Sequence, residues 1–383
     1  MKPYQVHIPT SIYFGRDIWE EALKCIEHLL NGNIMIVTTG RSLERLGYIE
    51  NLKDRITQCS MVKCITVFDN ISTNPKLAEV RKGVALAKKS RADVIIGFGG
   101  GSSIDAAKAI ALGAKTEVLI DEYFYENKDL EKDVLPIIAI PTTAGTGSEL
   151  SKAAIITDNK KNIKKGIRGN SLYPKAAIVD SVFTESVPFD ITMQTGFDVL
   201  AHAMESYISK SASPYTQMQS EYVIKTVGEM LTRLTVSLND IEARKKMSYA
   251  SMIMGINLGN ASTCLPHRLQ YPLGAYTNIS HGLGLAALYP AWIDYEYKYS
   301  QEKVEWMMSI LVGKNVQGKK ECINIIRNFI SSIKLPETLK VIGVDKTQLR
   351  DMAQAVSGNL LNDPASQEKD IAIKIYERAW EEI

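Results

Sequence analysis

The chain has 383 residues, of which 45% are hydrophobic and 23% charged, with a formal net charge of +2. A near-neutral balance argues against nucleic acid or an anionic membrane as the main partner, and no apolar run reaches the ~18 residues of a membrane span. Length and composition suit a globular protein of two domains, at roughly 100–200 residues each.

The opening stretch, MKPYQVHIPTSIYFG, lacks the basic-then-apolar pattern of a signal peptide. Strands are expected at 5–13, 33–38, 62–68, 93–98, 135–141, 153–157 and 176–179. Several are continuous and β-branched, such as NIMIVTT and DVIIGF. Helices are expected between them at 18–30, 42–46, 49–58, 75–88 and 102–112. Continuous apolar strands alternating with helices predict a parallel, doubly wound sheet covered on both faces. The five cysteines, Cys25, Cys59, Cys64, Cys264 and Cys322, form no CxxC pair and read as reduced thiols of a cytoplasmic protein. Cys264, three residues before His267, reads as a small core residue.

Two loops suit a dinucleotide. In GFGGGSSIDAAKAIAL (97–112) a strand ends in glycines and a helix follows at once. Gly99, Gly100 and Gly101 allow close approach to a pyrophosphate, Ser102 and Ser103 are expected to cap the helix, and the helix start favours an anion. Asp105, on the same helix, is expected among the cofactor-binding residues. In PTTAGTGSEL (141–150), Thr142, Thr143, Thr146 and Ser148 offer hydroxyls beside Gly145 and Gly147. Each loop alone also reads as a tight turn; together they clasp one dinucleotide from two sides. After the second strand, in VTTGRSLERLG (37–47), no carboxylate is present to accept from a ribose hydroxyl. Gly40 leaves room there and Arg41 and Ser42 donate, so NADP(H) is expected over NAD(H).

Beyond Pro188 the β-branched runs end. Helices are expected at 216–234, 246–258, 283–288, 304–312, 321–333, 346–357 and 369–382. The boundary falls between a 1–184 α/β domain and a 185–383 all-helical domain, with the site in the cleft between them. The helical part holds Asp198, His202, His267 and His281, three of the chain's five histidines among them. Asp198 and His202 are spaced i, i+4 and project from one helical face. One carboxylate and three imidazoles suit Fe²⁺ or Zn²⁺ better than Mg²⁺ or Ca²⁺. Buried structural histidines would show the same spacing, and on spacing alone both readings stand.

GFGGGSSIDAAKAIAL, PTTAGTGSEL, TGFDVLAHAMESYIS and the closing PLG…SHG segment together resemble the iron-containing alcohol dehydrogenase family, from Phe14 to the NDP at 362–364. The resemblance implies a Rossmann-like domain followed by a helical domain, the dehydroquinate synthase-like plan. It implies a metal-dependent NAD(P)-linked alcohol dehydrogenase, or aldehyde reductase, acting on a small molecule. It also implies a divalent metal, Fe²⁺ first and Zn²⁺ or another second, on Asp198, His202, His267 and His281. Gly99 to Ser102 would meet the pyrophosphate, Thr142, Thr143 and Ser148 the nicotinamide side, and Lys165 the cofactor. Homodimers or larger assemblies are implied too, with 5–13 as an edge strand for pairing. Two positions depart from the family pattern. Gly40 replaces a carboxylate, and Tyr271 replaces a proton-relaying histidine, although a tyrosine is a far weaker base near neutrality. Arg268, next to a metal ligand, points to an anionic aldehyde bearing a carboxylate or phosphonate; the alternative is an arginine turned to solvent or to a neighbouring acid. Rival readings are a dehydroquinate synthase-like or glycerol dehydrogenase-like enzyme, or a non-catalytic nucleotide-binding descendant.

Overall fold

The computed structural model describes residues 3–130 and 133–381. Its central sheet is built from β1 (Ser11–Gly15), β2 (Gly32–Thr39), β3 (Val62–Ile71), β4 (Val94–Gly99), β5 (Ile137–Pro141) and β8 (Ala176–Asp180). The six strands are all parallel, in the order β1-β8-β5-β4-β2-β3. The run NIMIVTT shows why. Ile34 and Ile36 enter one apolar cluster with α1 (Trp19–Cys25), α2 (Ser42–Arg45) and α3 (Tyr48–Thr57). Met35 and Val37 enter the opposite one with α4 (Leu77–Lys89), α5 (Gly101–Lys115) and α6 (Ile120–Tyr125). A strand covered on both faces must be apolar at every position. The strand order reverses between β2 and β4, so the crevice for a ligand opens at the carboxyl ends of those two strands.

Two expected strands differ. The first begins only at Ser11, because Pro9 removes a ladder donor; upstream, His7 exchanges hydrogen bonds with Asn260 instead. The strand expected at 153–157 does not join the sheet. It is β6 (Ala153–Asp158), paired antiparallel with β7 (Ile163–Arg168) in a separate hairpin. Only residues 159–162 separate the two strands, too few for the crossover that a parallel pair needs.

The helical half comprises α7 (Phe189–Ile208), α8 (Pro214–Val236), α9 (Ile241–Asn260), α10 (Leu265–Thr277), α11 (His281–Val312), α12 (Lys319–Ser332), α13 (Leu349–Gln354) and α14 (Ile371–Trp380). The two helices expected at 283–288 and 304–312 lie on either side of a kink at Ser300, where the backbone is not helical, within the span labelled α11. The last expected helix ends at Trp380, and its forecast end, Glu382, lies outside the described residues. One continuous apolar cluster fills this half and takes in Leu150, Ala177 and Val179 from the first. Among the described residues no helix is long and apolar enough to cross a membrane.

Candidate active site

Helix α7 presents Asp198, His202 and Glu205 at i, i+4 and i+7, one face of a helix. Helix α10 presents His267, Gln270 and Tyr271, and α11 begins at His281. Three imidazole Nε2 atoms converge on Asp198 Oδ1: His267 at 3.3 Å, His281 at 3.4 Å and His202 at 3.6 Å. Asp198, His267 and His281 form the tightest group, and the His202 ring stacks on His267 with centroids 4.5 Å apart. Asp198 Oδ1 and His267 Nε2 are buried with no hydrogen-bond partner. A buried carboxylate oxygen aimed at nothing but imidazole nitrogens is costly, and a borderline divalent cation satisfies all of them. The donor set therefore fits the metal expected from sequence.

Outer partners fix the rings. Glu205 Oε1 lies 2.7 Å from His267 Nδ1 and Gln270 Oε1 lies 2.5 Å from His281 Nδ1, which leaves each Nε2 facing Asp198. Glu205 Oε2 also accepts from the Cys264 amide at 2.7 Å, and Asp363 Oδ2 accepts from the Leu265 amide at 2.9 Å. The start of α10 is thus fastened to α7 and to the NDP turn. Burial pulls His202 down to about 4, against the attraction of Asp198. Burial also opposes the His267 charge, but Glu205 and Asp198 outweigh it and carry the imidazole up to about 10.

The glycine loops interlock at the carboxyl edge of the sheet. A Cβ on Gly101 would meet Thr146 Oγ1 at 2.4 Å, and Gly147, at φ +60°, lies 2.5 Å from Gly255 Cα on α9 at its would-be Cβ. The start of α5 differs from expectation. Gly100 is its N-cap and no side chain caps it. The helix begins one residue early, which puts Ser102 and Ser103 inside the first turn, where they cannot cap; the first amides stay available to an anion. Asp105 accepts from Ser148 Oγ and from the Ile155 amide. One turn on, the fully buried Lys108 donates to the carbonyls of Ser148, Ser151 and Ala153 at 2.6–2.9 Å. Asp105 is thereby engaged as a clamp on the second loop and the hairpin, as well as lining the cavity.

A cavity of about 370 Å³ connects these parts. The metal-ligand candidates, Gly101, Ser102, Asp105, Thr146, Ser148, Arg268 and Tyr271 all line it. Gly40, Arg41, Ser42, Gly99, Gly100, Thr142 and Thr143 do not, but sit at the strand ends around the crevice. Gly40 is at φ +60° with nothing within 4 Å of a would-be Cβ, and Arg41 and Ser42 are exposed. Lys165 is placed elsewhere. Its Nζ lies 3.1 Å from Asn127 Oδ1 and over Phe124, on the far side of the hairpin. Successive strand residues face opposite ways, so its neighbour Lys164 enters the cavity, held 2.7 Å from Asn74 Oδ1. Burial, with help from Lys76, pulls Lys164 down to about 8. Arg268 is 5% exposed, and turns neither to solvent nor to an acid. One of its amino groups donates to Thr263 Oγ1 at 3.1 Å, and its Nε has no partner.

Sequence reasoning missed Glu205, Gln270, Lys108, Lys164 and Arg168. Glu205 had a signal, the i+7 position from Asp198; Lys108 had one too, as a lone cation inside the apolar run AAKAIAL.

Residues 9–181 match the family described as iron-containing alcohol dehydrogenase, and residues 192–380 its C-terminal counterpart, the Fe-containing alcohol dehydrogenase family, C-terminal. The NADPH-dependent butanol dehydrogenase of Clostridium saccharobutylicum is 28% identical over 97% of this chain and 96% of its own. The 1-propanol dehydrogenase PduQ of Citrobacter freundii is 36% identical over 73% of this chain and 70% of its own. Among solved structures, the sulfoacetaldehyde reductase of Bifidobacterium kashiwanohense in complex with NAD⁺ superposes with a TM-score of 0.87 at 28% identity, covering 99% of each chain.

Proposed function

Because the chain belongs to the iron-containing alcohol dehydrogenase family, we propose how this metal-dependent, NAD(P)-dependent alcohol dehydrogenase is specialised: it reduces a small aldehyde bearing an anionic tail, using NADPH, with Fe²⁺ on Asp198, His202, His267 and His281. The observation that carries the substrate reading is Arg268, a buried guanidinium in the cavity wall with no carboxylate beside it. The likeness to a sulfoacetaldehyde reductase supports it. The cofactor reading rests on the open backbone at Gly40 and the exposed Arg41.

A divalent metal on the Asp/His set supplies Lewis acidity toward a carbonyl oxygen, and the hydride chemistry is the nicotinamide's. The chain's own residues do the positioning. Glu205 and Gln270 hold the tautomers of His267 and His281. The open amides at the start of α5 receive the pyrophosphate. Lys164, steadied by Asn74, presents an ammonium group in the cavity, and Arg268 takes the anionic tail. Tyr271 stands where the family carries a relaying histidine, and an unchanged kcat for Tyr271→Phe across pH would remove its hydroxyl from the proton path. A homodimer or larger assembly is part of the reading, with β1 at an edge of the sheet; light scattering decides it. A cytoplasmic setting rests on five free cysteines.

The test is kcat/KM with NADPH for anionic and neutral aldehydes of equal length. A charge-assisted hydrogen bond of about 1.5–3 kcal/mol predicts a preference of about 10- to 100-fold for the anion; equal rates would end the substrate reading. A lower KM for NADH than for NADPH would end the cofactor reading, and Gly40→Asp should produce that reversal.

A further inference from the structure

Arg168 closes β7 and faces the same cavity as Arg268, though it comes from the opposite half of the chain. The residue is exposed to solvent. It lines that cavity together with Tyr271 and Arg268, and the Arg268 charge acts against its own. The Arg268 guanidinium lies 5.7 Å from the centroid of the Tyr271 ring. Two guanidiniums and one phenol therefore share the lining of one cavity. Within the protein, Arg168 donates to Gly166 O at 3.2 Å, and Arg268 to the hydroxyls of Ser262 at 3.4 Å and Thr263 at 3.1 Å. Among the described residues, no carboxylate lies within ion-pair distance of either.

Holding two like charges together beside a buried wall is unfavourable unless a counter-charge arrives. We propose that Arg168 and Arg268 form a two-armed seat for a tetrahedral oxyanion, a phosphonate or sulfonate, on the aldehyde substrate, and that Arg168 is the residue that selects this head group over a carboxylate. The proposal rests on the anionic-aldehyde reading above. A planar carboxylate holds its roughly four lone-pair sites in one plane, so a single guanidinium fork takes the facing pair and a second must approach in that same plane. A tetrahedral head has three oxygens, enough to meet both forks at once, with the Thr263 hydroxyl beside them.

The experiment uses the metal-loaded enzyme and a set of aldehydes of equal length that end in phosphonate, sulfonate, carboxylate or a neutral group. Wild type is expected to favour the two tetrahedral heads. Arg168→Gln should lower their kcat/KM by about 10- to 100-fold, chiefly through KM, and leave the neutral aldehyde and the KM for NADPH unchanged, with Arg168→Lys partly restoring the loss. Whichever tetrahedral head is preferred supports the seat; phosphonate first would mark it as built for a dianion. Three results separate the readings. No preference for any anion over the neutral aldehyde overturns the anionic reading itself. A carboxylate as good as the tetrahedral heads, in wild type and Arg168→Gln alike, overturns only the two-armed seat. An equal loss on every aldehyde makes Arg168 a structural residue and also overturns it.

Discussion

Glu205→Gln changes one atom in a fully buried site, and its consequence follows from a count of acceptors. Glu205 Oε1 takes the His267 Nδ1 proton at 2.7 Å and Oε2 takes the Cys264 amide at 2.7 Å. A glutamine has one oxygen for these two jobs. With that oxygen on Cys264, the NH₂ faces Nδ1, which must then accept, and the ring proton moves to Nε2, the atom that faces Asp198. With the oxygen on His267, NH₂ and the Cys264 N–H oppose each other at the start of α10. Either rotamer forfeits a charge-assisted hydrogen bond, about 1.5–3 kcal/mol. Loss of a histidine ligand's outer partner typically costs about 10- to 100-fold in metal affinity, or about 1.4–2.7 kcal/mol. The two routes give the same size. The assay strips the protein with a chelator and titrates Zn²⁺, or Fe²⁺ without oxygen, against a chromophoric competitor. An unchanged affinity in Glu205→Gln would refute the role given to this carboxylate, and with it the reading of His267 as a tuned ligand.

Other outcomes follow from features described above or beside them. Glu296, fully buried against Asp363, is raised to about 9 by burial first and the Asp363 charge second. Its folded value lies above its unfolded one, so its contribution is complete below about pH 4.5 and is lost as pH rises toward 9, by at most about 1.4 kcal/mol per pH unit. Glu296→Gln, which copies the neutral acid toward Ser300 and Ala365, should flatten the fall of Tm between about pH 6 and 9; parallel curves would refute this. Gly147→Ala places a Cβ 2.5 Å from Gly255 Cα in left-handed backbone, so urea unfolding should show a loss of at least roughly 1–2 kcal/mol from the backbone alone. Lys164→Met should lower kcat/KM while Lys165→Met leaves it unchanged, and the reverse result would mean that the hairpin register described here is wrong.

The sheet was legible because strands covered on both faces leave long β-branched runs that little else produces. The same signal hid the hairpin, since AAIITD looks alike in a parallel sheet and in a two-stranded ribbon; only the short spacing to Ile163 separates them. The i, i+4 spacing set Asp198 and His202 on one helical face, as α7 shows, without deciding between ligands and buried structural residues. Glu205 and Gln270 were not legible, because helical Glu and Gln are ordinarily solvated, and their burial arises only when α7, α10 and α11 meet. Lys164 was missed by one residue, which in a strand is the difference between two faces.

The hairpin separates two kinds of change that most enzymes must make together. Ala154, Ile156 and Ile167 face the apolar cluster under α5, whereas Ala153, Ile155, Lys164 and Arg168 face the cavity. Neither strand supplies a rung of the six-stranded sheet, yet β6 rests on α5 and β7 on α10. Alternate positions of one short ribbon can therefore drift while the anchoring positions stay fixed. Such a ribbon is a compact cassette for divergence: a few codons retune which aldehyde is admitted, and the inherited cofactor and metal machinery carries on beside them.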